Sequence, residues 1–316
     1  MRGWWLRPAV RIASAAVLPL AVPAIITAPI WMLPGDPASV ICPPESCGGT
    51  SALAARWNLD SGPWNFYMGW LGGALHGDLG ASWRLLQGES VRMLVTEAVP
   101  NTLLLVGLSL IPIVLGTLGA ATQRLPAKGD PVLEVVGMVP ALVLALLGAA
   151  VVELAYGADS YDGAALWARL IGGAAVLGLA DGAFSGAVTG TRGLFRAENK
   201  QRYVGIAVLR GERRIHNTLP NTAPALVGQL RARVLHLLSG AVVVEVVLGI
   251  DGLGDLLWRG TLLQDFGVVL AAATGFALIS AGLLLTQALA EIAVAVHVRR
   301  APSLSVESPG VAGEAA

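Results

Sequence analysis

Three long stretches of the sequence contain no Asp, Glu, Lys or Arg, and they restrict the possible folds more than any other feature. They are residues 12–35 (24 residues), 98–123 (26 residues) and 266–290 (25 residues). Each is longer than the about 20 residues that an α-helix needs to cross about 30 Å of hydrocarbon. The stretches therefore predict a helical protein that crosses a membrane several times.

The composition argues against two other classes of protein. Charged residues make up 13% of the chain, about half of the roughly 25% found in soluble proteins. A soluble catalytic domain is therefore not predicted. Lys plus Arg equals Asp plus Glu, with 21 residues of each kind, so the charge balance gives no indication of a nucleic-acid binder.

The hydropathy pattern predicts an all-α membrane protein with about six transmembrane helices. The fourth of these helices is rich in Gly and is interrupted by Asp181. The six predicted spans are residues 12–33, 100–122, 132–155, 167–189, 220–249 and 266–296.

The distribution of positive charge predicts the orientation. If both termini are placed inside, 14 of the 21 Arg and Lys residues lie on the cytoplasmic side and five outside, while Arg231 and Arg233 fall within the fifth span. This bias is typical of cytoplasmic loops, so both termini are predicted to be cytoplasmic.

The spans divide the chain into regions. The first apolar run is longer than the apolar part of a signal peptide, so it is predicted to be a retained helix. Trp residues cluster in and beside the long outer loop, which predicts an amphipathic segment at the membrane surface. The predicted regions are a cytoplasmic N-terminus (1–11), a first helix (12–33), an extracytoplasmic loop with the amphipathic segment (34–99), a transmembrane core (100–300) that includes a cytoplasmic loop (192–218), and a disordered cytoplasmic tail (301–316).

Short Gly- and Asp-containing strings recur between and beside the spans. Taken alone, they are typical of turns, in which Asp bonds to the backbone and Gly adopts a positive φ, and they are predicted to position loops rather than to contact a substrate. In chain order the strings are Leu33-Pro-Gly-Asp-Pro-Ala38, His76-Gly-Asp-Leu-Gly-Ala-Ser82, Pro100-Asn-Thr-Leu103, Gly240-Ala-Val-Val-Val-Glu245, Gly249-Ile-Asp-Gly-Leu-Gly254 and Gln264-Asp265.

This ordered set resembles the permease subunits of bacterial ABC importers for oligopeptides, dipeptides and nickel, over about residues 1–300. The resemblance implies a type I ABC importer-like permease fold in the inner (cytoplasmic) cell membrane, surrounded by the lipid bilayer. It also implies three kinds of partner: a second homologous permease, two cytoplasmic ABC ATPases and an extracytoplasmic substrate-binding protein. The chain has no phosphate-binding loop of the G-x-x-x-x-G-K-[ST] type, so ATP hydrolysis is expected on the partner subunits, and no enzymatic activity or cofactor is expected here.

The resemblance also implies a short cytoplasmic coupling helix that docks on the ATPase. This helix is expected to end at Gly211 as its C′ cap. Leu219 follows only eight positions after Gly211, about one helical turn fewer than the resemblance implies. The alternative interpretation of this stretch is a positively charged cytoplasmic loop without a specific role. The residues that match the coupling motif are Tyr203, Val204, Ala207, Arg210 and Gly211.

Polar residues inside the fifth span form a second candidate site. Gln229, Arg233 and His236 follow one another at four and three residues and so share one face of a helix. One interpretation is that they line the translocation path and favour an anionic group such as a peptide carboxylate. The alternatives are pairing with Asp181, Glu153 or a partner subunit, or an Arg233 side chain that extends to the membrane boundary.

Two cysteines in the outer loop, Cys42 and Cys47, enclose four residues. An oxidising compartment favours a small disulfide, while free thiols stay open because spacing does not fix the geometry. No His lies close enough in sequence to suggest a metal site.

The predicted function is that of a permease subunit that forms half of a path for peptides or a similar small solute. One alternative is a degenerate permease that acts as a non-transporting scaffold, which the shortened coupling loop favours. Another is an importer of nickel chelates. An intramembrane enzyme is not supported, since no His-Glu-x-x-His string or Ser/His/Asp set is visible.

Overall fold

The computed structural model describes residues 6–32, 38–39, 50–122, 124–157 and 162–300. Cys42, Cys47 and the predicted tail 301–316 lie outside the described residues. The helices are α1 (Leu6–Met32), α2 (Thr50–Trp57), α3 (Gly62–Leu75), α4 (Val91–Ala121), α5 (Asp130–Gly137), α6 (Ala141–Tyr156), α7 (Gly163–Leu179), α8 (Ala183–Asn199), α9 (Arg202–Leu209), α10 (Arg214–Leu248), α11 (Leu253–Leu262) and α12 (Phe266–Arg300).

The helix lengths confirm an all-α membrane protein. Four helical segments are long and apolar enough to cross a membrane, or up to six if each of two bent helix pairs counts as one span. The bent pairs are α5 with α6, at 82°, and α10 with α11, at 71°. The six predicted spans correspond to the upper end of this range.

Two helices begin before the proline at which the predicted span starts, because the helix continues through that proline. α4 begins at Val91 and contains Pro100, and α10 begins at Arg214 and contains Pro220 and Pro224. Proline removes one backbone donor from a helix, but a chain in lipid gains so much from helical hydrogen bonds that kinked helices continue through it.

The predicted cytoplasmic loop 192–218 is mostly helical. α8 continues to Asn199, α9 follows after a turn, and α10 begins at Arg214. Arg192 is buried within this stretch, where it forms an ion pair with Asp130 and donates to the carbonyl of Leu125 at 3.1 Å. These contacts connect α8 to the first residue of α5 and to the segment that precedes it.

The largest core lies between α4, α6, α7, α8 and α10. Small residues allow the helices to approach closely: a Cβ on Gly173 of α7 would lie 2.9 Å from Val244 and 3.0 Å from Leu105. α1 packs along α12, and the ion pair between Arg11 and Glu291 joins the N-terminal part of α1 to the C-terminal part of α12.

The predicted outer loop 34–99 also contains helices. α3 packs on α1, with the Tyr67 hydroxyl donating to the carbonyl of Leu20 at 2.8 Å. Phe66 is buried between Trp31 and Trp83, with ring centroids 5.4 and 6.4 Å away. Trp64, on the same helix, is 66% exposed. α3 therefore buries one apolar side against α1 and the neighbouring Trp residues and exposes a second apolar side, at Trp64. The amphipathic surface segment stays a prediction.

Candidate functional site

The bend between α10 and α11 is held by one buried carboxylate, that of Glu245. One oxygen accepts from the Thr102 hydroxyl at 2.6 Å, and the other accepts from the backbone N–H groups of Gly254 at 2.6 Å and Asp255 at 3.2 Å. The Thr102 hydroxyl in turn accepts from the N–H of Leu253 at 2.7 Å. The first turn of a helix leaves its N–H groups without partners, so Glu245 and Thr102 together cap α11 from other helices.

The glycines of this bend are required by the same carboxylate. A Cβ at Gly252 would overlap the Glu245 carboxylate, and one at Gly254 would lie 2.8 Å from its oxygen. Asn101 adds a further contact, because its amide donates to the carbonyl of Asp251 at 2.8 Å. The strings at 100–103, 240–245 and 249–254 therefore form one contact network.

A second buried carboxylate, that of Asp265, connects the segment before α4 to the start of α12. Its Oδ2 accepts from the Ser82 hydroxyl at 2.6 Å and from the N–H groups of Trp83 and Arg84 at 2.9 Å and of Leu85 at 3.0 Å. Its Oδ1 accepts from the N–H of Val268 at 3.3 Å, as an N-cap does. The strings at 76–82 and 264–265 are thus also brought together.

Two cavities lie on either side of Arg259, which forms ion pairs with Asp255 at 2.8 Å and Asp251 at 3.1 Å. One cavity, of about 540 Å³, is also lined by Glu97 and Asn101. The other, of about 330 Å³, is lined by Glu153 and by Arg169 of α7. Glu153 therefore lies beside the C-terminal end of α10.

The predicted coupling residues lie on α9 and the turn that follows it. Val204 and Ala207 are buried, whereas Leu209 is 88% and Ile206 is 51% exposed. Gly211 has a φ of 85°, its N–H donates to Val208, and the N–H of Glu212 donates to Ala207. This is the Schellman arrangement that ends helices. Gly211 thus ends α9 as the sequence predicts, and the side chains of Ile206 and Leu209 form an exposed apolar surface.

The Tyr203 hydroxyl joins α9 to both neighbouring helices. It donates to Glu198 of α8 and accepts from the Asn221 amide of α10 at 2.6 Å. Burial, and then the hydrogen bond to Glu198, raises the pKa of the Tyr203 hydroxyl above its ordinary value. Arg210 is exposed.

The polar face of α10 packs partly against α8. Arg233 is half-buried, and its guanidinium donates to the carbonyl of Gly182 at 3.3 Å. A Cβ at Gly190 would lie 3.3 Å from the Gln229 amide nitrogen, and one at Gly186 would clash with the Arg233 guanidinium. His236 is exposed. Two glycines one turn apart on α8 therefore make room for two long polar side chains of α10.

The predicted pairing of Arg233 with a carboxylate is not formed among the described residues. Arg233 donates its hydrogen bond to the carbonyl of Gly182, the residue after Asp181. Glu153, on α6, lies beside the C-terminal end of α10. Measured along α10, that end is about 15 residues, or about 22 Å, from Arg233. The side chain of Arg233 also does not extend to an end of the apolar segment 163–199, because its partner Gly182 lies near the middle of that segment.

The central contacts of Glu245, Thr102 and Asp265 were not predicted by sequence reasoning, although all three lie in the quoted strings. Glu245 is the only ionisable residue in the apolar run 234–250 apart from His236, and such a residue inside a membrane span is usually functional or paired. That signal identifies Glu245 but not its partners, of which Thr102 lies 143 residues away.

Comparison with known proteins gives one family. Residues 113–300, more than half of the chain, match the model of the binding-protein-dependent transport system inner membrane component. None of the curated proteins is similar enough to the chain to count as a match.

Proposed function

Because the chain belongs to the family of binding-protein-dependent transport system inner membrane components, we propose that it forms half of the translocation path of an importer for peptides or similar small solutes. The family makes it an ABC importer permease subunit, which works with ATPase and substrate-binding partners. The proposal adds the cargo class, a second homologous permease, two cytoplasmic ATPases and the docking role of α9. The cargo class rests on the resemblance of the sequence strings.

The observation that carries the proposal is the exposed apolar surface of α9. Ile206 and Leu209 are exposed, while the opposite side of the helix, at Val204 and Ala207, is buried against the protein. Exposed apolar side chains on a short, capped helix fit a complementary groove in a partner. This is the geometry that a coupling helix requires.

Replacing Leu209 with aspartate is expected to weaken ATPase binding about 30-fold. The reason is that an anchor residue at the centre of an interface contributes at least about 2 kcal/mol, which corresponds to about 30-fold in affinity. The measurement is mild-detergent purification through a C-terminal tag, with quantitative mass spectrometry of the proteins that accompany it. Leu86→Asp is the matched control, because Leu86 is also exposed, at 51%, but lies in the segment before α4.

A second permease and ABC ATPases should accompany the unmodified protein and the Leu86 variant. If no ATPase is recovered with either, the docking role fails. The non-transporting scaffold is then favoured, and the short connection between Gly211 and the start of α10 at Arg214 supports it. ATPase activity that responds to the binding protein and to cargo would contradict the scaffold.

We also propose that Gln229, Arg233 and His236 lie along the path, and that Arg233 binds an anionic group of the cargo. The exposure of His236 in the middle of a membrane span supports this placement, because ionisable residues there face water or other protein. Arg233→Gln is expected to leave the amount of assembled complex unchanged and to lower uptake of trialanine, the peptide probe, about tenfold. Arg231→Gln is the matched control, and loss of assembly in the Arg233 variant would contradict the path role.

The cytoplasmic location of both termini, and with it the boundaries of the outer and inner regions, is part of the proposal. The ion pair between Arg11 and Glu291 supports it, because the pair brings the N-terminal part of α1 and the C-terminal part of α12 to the same end of the protein. The excess of positive charge then assigns that end to the cytoplasm.

A further inference from the structure

The membrane segment formed by α7 and α8 is broken near its middle by a residue in an unfavourable conformation. Asp181 has φ 50° and ψ 27°, and Gly182, which follows it, has φ 69°. The left-handed region is unfavourable for a residue with a side chain, although Asp and Asn adopt it more readily than most. Backbone outliers of this kind persist where the surrounding structure holds them, and they concentrate at functional sites.

Two other helices, α5 and α10, and the bend between α5 and α6 hold the backbone of this break. The N–H of Asp181 donates at 3.2 Å to the carbonyl of Val139, which lies in the bend between α5 and α6. The carbonyl of Gly182 accepts from Arg233 of α10 at 3.3 Å. Gly137 at the end of α5 lies so close that a Cβ there would be 3.0 Å from the Cα of Gly182. Two helix breaks therefore meet at one point, and the position of Asp181 is fixed.

The side chain of Asp181, in contrast, is exposed. Within the part of the chain that the structure describes, no hydrogen bond or ion pair reaches its carboxylate. An ionised carboxylate in the middle of a membrane span is unfavourable unless it faces water or a partner. Irregular backbone at that depth is likewise tolerated where it lines a water-filled cavity.

We propose that Asp181 faces the water-filled translocation path and binds a cationic group of the cargo, such as a primary ammonium. A carboxylate only accepts hydrogen bonds, and an ammonium only donates them, so the two are complementary. Discontinuous membrane helices provide such sites in other transporters. The inference rests on the proposed function, since it requires a path.

Arg233 and Asp181 then act on different parts of the cargo. The guanidinium lies half-buried against Gly182 and Gly186, while the carboxylate is exposed. The guanidinium contacts the residue that follows Asp181, and among the described residues no ion pair joins the two side chains. A basic and an acidic group at such neighbouring positions suit a zwitterion. The class of cargo is therefore a molecule that carries both an ammonium and a carboxylate.

The first test measures whether Asp181 is in water. In complete complexes that carry Cys42→Ser and Cys47→Ser, Asp181→Cys is expected to react with a trimethylammonium-ethyl thiosulfonate reagent added from the aqueous side. Absence of reaction would overturn the proposal, because the residue would then face lipid or a sealed interface.

The second test measures whether the carboxylate attracts cations. The reporter is Leu179→Cys, at a residue that is 43% exposed and two positions before Asp181. Its ratio of reaction rates with cationic and anionic thiosulfonates is expected to fall about tenfold when Asp181→Asn is added. Asparagine adopts the left-handed region as aspartate does, so the variant removes the charge and keeps the backbone. A reporter at Leu75→Cys, on α3, should give the same ratio with and without Asp181→Asn.

An unchanged ratio at Leu179→Cys would overturn the proposal. A second result would also overturn the proposal. If Asp181→Asn lost the assembled complex and the added substitution Arg233→Gln restored it, the two residues would form an internal ion pair. Uptake adds a functional readout: Asp181→Asn should lower uptake of trialanine about tenfold more than that of its N-acetylated form. If the unmodified complex imports neither peptide, the proposed cargo class fails, while the reagent ratio still decides the role of Asp181.

Discussion

Replacing Glu245 with alanine is expected to prevent accumulation of the folded protein. The alanine variant leaves the Thr102 hydroxyl and the N–H groups of Gly254 and Asp255 without their acceptor in a fully buried place. Each buried polar group without a partner is unfavourable by about 1–3 kcal/mol. The three together amount to about 3–9 kcal/mol, which is comparable with the total stability of about 5–15 kcal/mol of a folded protein.

The measurement is the yield of monodisperse protein in mild detergent, together with its thermal unfolding. Glu245→Gln is the matched control, because the amide keeps the size and one acceptor oxygen but replaces the other oxygen with a donor that faces N–H groups. We expect a yield for this variant between that of the alanine variant and the unmodified protein. Normal yield and unfolding temperature of Glu245→Ala would contradict the capping role of the carboxylate.

Replacing Asp265 with alanine is expected to release the segment before α4 from α12. The variant removes the N-cap of α12, worth about 0.5–2 kcal/mol, and leaves three backbone N–H groups of residues 83–85 without their acceptor. Arg84 lies in this segment and is held by the carbonyl of Leu263 at 3.2 Å and by Gln264 at 2.9 Å. Trypsin cleaves after arginine, so Arg84 reports whether the segment is held.

Brief digestion with trypsin should cut the alanine variant after Arg84 and leave the unmodified protein intact at that bond. Cleavage at Arg196, which is exposed in α8, is expected to be the same in both proteins and serves as the internal standard. Asp265→Asn keeps an acceptor oxygen and should be cut at an intermediate rate. Equal cleavage after Arg84 in all three proteins would contradict the role of the carboxylate.

The sequence predicts the positions of the membrane helices well but not their ends or breaks. Apolar stretches identify the helices because hydrophobicity is a local property. Pro100 and Pro220 were expected to begin spans, yet α4 and α10 contain them, because proline marks a helix start in water more reliably than in a membrane. The break at Asp181 depends on contacts with Val139 and Arg233, and no local pattern shows those contacts.

The candidate sites were predicted unevenly for a related reason. Gly211 was identified as the end of α9 because a glycine cap is a local signal. The distant partners of Glu245 and Asp265 were not identified, since Thr102 lies 143 residues from Glu245 and Ser82 lies 183 residues from Asp265. One sequence shows that such strings exist, but their pairing appears only when the chain is folded.

The short connection after α9 couples the orientation of α9 to that of the long helix α10. Only Glu212 and Arg213 follow Gly211 before α10 begins, and Tyr203 is hydrogen-bonded to Asn221, two turns into α10. α10 has 35 residues, so it is about 52 Å long at 1.5 Å per residue. A tilt of about 10° imposed at α9 would move the far end of a straight helix of that length by about 9 Å. Glu245 lies near that far end and caps α11. The tilt would therefore displace α11 as a whole, and with it Arg259, which lines both cavities.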